Sequence, residues 1–83
     1  MSLFVSVEAA EQLRDLEKSP GLMNVGLHDV LKRIDTEGID LSSRDIHRLA
    51  GSEEEIYVLR YHSFRLFLTK SEDGVVLMNI LKR

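Results

Sequence analysis

Hydrophobic and polar positions along this chain change their period from helical to strand-like about halfway. Leu3-Phe4-Val5-Ser6-Val7 is short, aromatic and β-branched, which predicts a strand. Ser6 then offers an N-cap hydroxyl, and Ala9, Ala10, Leu13 and Leu16 recur at helical spacing through Lys18. A first helix with a polar outer face follows. Ser19-Pro20-Gly21 breaks it, because Pro20 cannot sit in a helix interior but suits the first turn of the next helix. Met23, Leu27, Val30, Leu31 and Ile34 fall at i, i+4, i+7, i+8 and i+11, laying one apolar stripe along a second helix. Gly38 is placed to end it. With only a few residues between them, the two helices pair antiparallel.

Residues 39–52 fit either a single helical turn carrying Ile46 and Leu49, capped by Ser42 or Ser43, or an ordered loop, and the loop is the expectation. Beyond Gly51 and Glu53-Glu54-Glu55 the period becomes two. Ile56 to His62, Phe64 to Lys70 and Val75 to Leu81 are β-rich runs, separated by a tight link at His62-Ser63 and by the turn sequence Ser71-Glu72-Asp73-Gly74. They predict an antiparallel meander with the first strand added at its edge. The order β-α-α-β-β-β makes an α+β domain spanning residues 1–83, a two-helix hairpin packed on one face of a mainly antiparallel four-stranded sheet.

Alternation then sorts the sheet residues. Tyr57, Leu59 and Tyr61 share one face with Phe64, Leu66 and Leu68, while Ile56, Val58, Arg60 and His62 share the other with Arg65, Phe67 and Thr69. Burying an unpaired arginine is costly, so the first set is the expected core and Arg60 and Arg65 belong together on the open face. That face also carries Ile56, Val58 and Phe67. Such apolar surface on a monomer implies a partner.

Composition narrows the classes. An 83-residue chain of 9.5 kDa builds one core, and 43% hydrophobic with 30% charged residues is a globular balance. There is no cysteine, so neither a disulfide framework nor a thiolate metal site is available. Apolar runs such as Val75 to Met78 are far short of the ~20 residues needed to span a bilayer. Glu8 and Glu11 interrupt any secretory h-region, and the expected location is cytoplasmic, away from membranes. The net charge of -3 argues against a protein that coats nucleic acid by bulk charge. Its distribution is uneven: residues 1–40 hold eight acids and four bases, whereas 41–83 hold six acids and seven bases. Between Ile56 and Ser71 the only charges are Arg60, Arg65 and Lys70, so an anion-binding surface belongs there.

Candidate chemistry is sparse. No Gly-rich phosphate loop, nucleophile elbow or paired-carboxylate motif is present. His28 on a helix and His47 on the expected loop lack a second ligand at useful spacing, so no metal or other cofactor is expected. His62, beside the hairpin turn on the arginine face, is the histidine assigned to the site. Two arginines on an open sheet face also suit plain solvated charges.

The helix hairpin, the step Leu49-Ala50-Gly51 into the sheet, and Ile56-Tyr57-Val58-Leu59-Arg60-Tyr61-His62-Ser63-Phe64-Arg65-Leu66-Phe67-Leu68 together resemble the RelE/ParE toxin superfamily of bacterial toxin-antitoxin systems. Val75 to Leu81, closing on Lys82-Arg83, resembles that family's last core strand. The resemblance implies a toxin. RelE-like members cut mRNA in the ribosomal A site, ParE-like members inhibit DNA gyrase, and both are neutralised by an antitoxin protein. On the RelE pattern Arg65 matches the arginine that stabilises transition-state charge, Arg60 the basic position beside it and Arg83 the arginine ending the last strand. His62 is the positional substitute for a general base. Always-charged, bidentate arginine suits that task. The partner surface is then Ile56, Val58 and Phe67, under an antitoxin segment. Strongly ribonucleolytic relatives carry lysines where this chain has Ile56 and Val58, and the segment that supplies them with a Tyr or His lies beyond the position of Arg83. A non-catalytic interaction module of the same fold is therefore the second expectation, with ribosome and mRNA as further partners only of the first.

Overall fold

The computed structural model describes residues 2–18, 22–40, 42–51 and 53–82, with residues 22–25 described by backbone alone. Two helices and five strands follow in the order β1 (Ser2–Val5), α1 (Val7–Glu17), α2 (Leu22–Glu37), β2 (Ile46–Arg48), β3 (Ile56–Tyr61), β4 (Phe64–Ser71) and β5 (Gly74–Lys82). The strands form one sheet in the order β1-β5-β4-β3-β2. β1 runs parallel to β5 and every other neighbouring pair is antiparallel. The expected α+β architecture is present, with one strand more than expected: β2, where residues 39–52 read as a loop, pairs three residues with β3 at the sheet edge.

Local chemistry accounts for the helix ends that are described. Ser6 adopts extended backbone at the N-cap of α1, and its hydroxyl accepts the Ala9 N–H at 3.1 Å. Gly38, at φ 81, ends α2, and its N–H reaches the Ile34 carbonyl at 2.8 Å. The expected break at Ser19-Pro20-Gly21 lies outside the described residues, as does the side chain of Met23.

The helices cover one face only. Ala9 of α1 and Leu27, Leu31 and Ile34 of α2 form a single buried cluster with Tyr57, Leu59, Phe64, Leu66, Leu68, Val75, Leu77 and Ile80. Tyr61 leans towards α2, where a Cβ at Gly26 would collide with its hydroxyl. Tyr57, Leu59, Tyr61, Phe64, Leu66 and Leu68 belong to the face expected to be buried, and Val75, Leu77 and Ile80 of β5 join them, because an aliphatic row against helices removes apolar area from water while the charged row stays hydrated.

α1 also completes the edge of β5. β1 ends at Val5, opposite Leu77, and a register shift between Phe67 and Leu68 on β4 bulges β5 next to this point. The Ser6 hydroxyl donates to the Met78 carbonyl, and Gln12 Oε1 accepts the Ile80 N–H at 2.7 Å. On the outer side of β1, the Leu3 N–H donates to Asp35 Oδ1 of α2 at 2.7 Å. Side chains of the helical layer thus satisfy backbone groups that the sheet leaves unpaired.

Candidate active site

The face turned away from the helices is built from three rows of side chains set by strand register. One row runs from His47 on β2 through Val58 and Phe67 to Asn79. The next holds Arg60, Arg65 and Leu81, and the third Ile56, Thr69, Val76 and Phe4. Arg60 and Arg65 are direct cross-strand partners, which brings their Cα atoms to about 4.5–5.5 Å. Both are exposed. Among the described residues, no carboxylate stands within ion-pair distance of either guanidinium, and the one ion pair joins His28 to Glu17 on the helices at 3.4 Å. Two like charges held opposite each other without a counter-ion form a ready anion site, since a phosphate between them relieves their repulsion.

The surroundings of this pair are apolar. Phe4 is 46% exposed and Leu81 48%, and Ile56 and Phe67 are half-buried. Val58 departs from expectation. It is 4% exposed and stands apart from the helix-side cluster, so it is buried on the open face itself, a small side chain in register between His47 and Phe67. It is thus the floor of the expected partner surface and no contact point on it. Asn79, beyond Phe67 in the same row, has its Oδ1 buried with no hydrogen-bond partner.

The expected site residues divide. Arg60 and Arg65 come together as their spacing implied, and Arg83 lies outside the described residues. His62 follows β3 with φ 52, in the left-handed region. Its ring meets that of Tyr61 edge-on at 4.5 Å between centroids. Tyr61 belongs to the helix-side face, so the turn draws the imidazole to that side of the strand end. His47, expected on a loop, lies instead in β2. With Ile46 packed against the core and paired with Leu59, alternation puts His47 on the open face. A three-residue strand is too short for periodicity to reveal; the single signal was β-branched Ile46 beside it.

A cleft of about 170 Å³ opens beside Arg60, between the end of α2, the 38–45 segment and β3. Glu37, Asp40 and Asp45 line it together with Arg33 and Arg60, a mixed set that offers an anion less than the carboxylate-free rows of the open face. At its rim the Ser42 hydroxyl donates to Asp40 Oδ1 at 2.6 Å and the Ser42 N–H at 3.0 Å. These bonds hold the Asp40 carboxyl below its ordinary range, the hydroxyl contributing more.

No protein-family model and no curated protein matches this chain. Solved structures do. The structure of the YoeB dimer from Staphylococcus aureus superposes with a TM-score of 0.73 at 21% identity, covering 100% of this chain and 95% of that one. The YoeB–YefM complex from the same organism superposes with a TM-score of 0.75 at 19% identity, covering 100% of this chain and 97% of that one. The chain has the YoeB fold. YoeB is a RelE/ParE-superfamily toxin, so the architecture implied by the arginine hairpin is the architecture found, complete from end to end of the YoeB chains apart from a few residues.

Proposed function

We propose that this protein is the toxin of a toxin-antitoxin pair and acts as a ribosome-dependent mRNA endoribonuclease that inhibits translation. The observation that carries the reading is the placement of Arg60 directly opposite Arg65 on the uncovered face of a YoeB-like sheet. In RNA cleavage by its own 2′-hydroxyl, negative charge accumulates on the non-bridging phosphate oxygens as the new O–P bond forms. Guanidinium groups fixed at that point lower the barrier without reorganising. The apolar rows beside them, with Ile56, Phe67, Phe4 and Leu81, suit an antitoxin segment lying across the arginines, and the YoeB–YefM complex is the assembly of like fold that supports such a partner. Among the described residues no helix is long and apolar enough to cross a membrane, consistent with action at the ribosome in the cytoplasm.

Induced expression of the full chain tests this. Growth and protein synthesis stop with the wild type, mRNA fragments accumulate in a translating extract, and Arg65→Ala relieves the arrest. Removing such a charge-stabilising group costs about 10²–10³ in rate. A second reading, an interaction module of the same fold without catalysis, draws on Ile56 and Val58 standing where ribonucleolytic relatives carry lysine. It predicts a stable partner complex with intact mRNA. Arrest without mRNA cleavage, together with loss of DNA supercoiling, points instead to gyrase.

A further inference from the structure

The arginine pair explains charge stabilisation and leaves open how the 2′-hydroxyl loses its proton. We propose that His47 is the general base of this site, an assignment that rests on the nuclease reading. Three observations carry it. First, β2 pairs Ile46 with Leu59 and His47 with Val58, so His47 stands on the arginine face, diagonal to Arg60. Diagonal positions on paired strands lie about 7–8 Å apart at Cα, within reach of long side chains. A phosphate gripped between Arg60 and Arg65 therefore has its attached ribose within the span of the imidazole. Second, in the three rows of that face His47 is the one side chain with a basic ring nitrogen to accept a proton; the others are arginine, asparagine, threonine and apolar residues. Third, His47 is exposed and, among the described residues, neither ring nitrogen has a hydrogen-bond or ion-pair partner. His62, by contrast, is packed edge-on against Tyr61.

A neutral ring nitrogen of His47 accepts the proton of the ribose 2′-hydroxyl, and the 2′ oxygen attacks the adjacent phosphorus. The new O2′–P bond forms while the P–O5′ bond breaks. The departing 5′ oxygen takes a proton from solvent water, and the imidazolium returns its own to the solvent. The products are a 2′,3′-cyclic phosphate and a 5′-hydroxyl end. No oxidant or metal enters. The charged groups facing His47 are Arg60 and Arg65 across the sheet, with Asp45 two residues before it on its own segment; the helices pack on the opposite face.

Single-turnover cleavage of ribosome-bound mRNA by the full-length wild type, His47→Ala, His62→Ala and Arg65→Ala proteins decides the matter. His47→Ala is expected to lower the rate about 10²–10⁴-fold, with an unchanged melting temperature. Across the histidine range the wild-type rate rises with pH and levels off; the variant loses that slope, and added imidazole restores part of the rate. His62→Ala keeps the slope. If His47→Ala cleaves at the wild-type rate or keeps the slope, or if His62→Ala is the variant that loses it, His47 is not the base, although the nuclease reading survives through Arg65→Ala. If the wild type cuts no RNA, both fall together.

Discussion

Arg60 and Arg65 occupy a position that folding alone disfavours. Like charges directly across two strands repel, and such pairs cost about 0.2–1 kcal/mol relative to neutral ones. Arg65→Gln should therefore raise the urea midpoint of the isolated protein at low salt while abolishing growth arrest. The gain should shrink in 0.5 M salt, where screening replaces the substitution. A midpoint that falls instead would mean Arg65 has a stabilising partner, which removes the case for an anion site. His47 belongs to the same scale, since its contribution depends on one side chain facing the arginines.

At the scale of elements, a few polar side chains join the helical layer to the sheet. Ser6 caps α1 and donates to Met78 of β5 at once. Ser6→Ala should cost about 1–2 kcal/mol, measured by chemical denaturation, with its strongest loss of amide-exchange protection at Ala9, whose N–H donates to the Ser6 hydroxyl. The segment after α2 carries its own signature. Because the Ser42 hydrogen bonds depress the Asp40 pKa in the folded state, their stabilisation is present above the ordinary aspartate value and is lost as pH falls through the lower folded value. The stability difference between wild type and Asp40→Ala should therefore be present at pH 6 and close on acidification below about pH 4. A difference that stays constant to pH 2 contradicts the assignment. This segment positions β2, and with it His47, against β3.

Considered as a whole, the molecule exposes 5800 Å², against about 5,000 Å² for a typical monomer of 9.5 kDa. Phe4, Leu81, Ile56 and Phe67 sit together on one side, around Arg60 and Arg65. An amphipathic partner with acidic residues satisfies both features. Phe67→Asp should abolish co-purification with a co-expressed candidate antitoxin that the wild type retains, while shifting the melting temperature by only a few degrees, because Phe67 is half-buried outside the helix-side core. Retained partner binding in that variant would place the interface elsewhere.

Taken alone, the sequence determined the two helices, the meander, an added edge strand and which face of the β3–β4 hairpin meets the helices, because periods of 3.6 and two are local properties of long apolar patterns. Leu66, Leu68 and Leu77 are fully buried in this arrangement. The pairing of Arg60 with Arg65 was also legible, since a two-residue link fixes hairpin register. Only the tertiary structure decided the rest. β2 exists because β3 offers an open edge to Ile46, a cross-strand pairing with no trace in a three-residue pattern. Val58 is buried by its cross-strand neighbours, and the His62 ring follows a left-handed turn. Which histidine stands beside the arginines is thus set by cross-strand pairing between β2 and β3, an energy that the periodicity of a three-residue run does not contain.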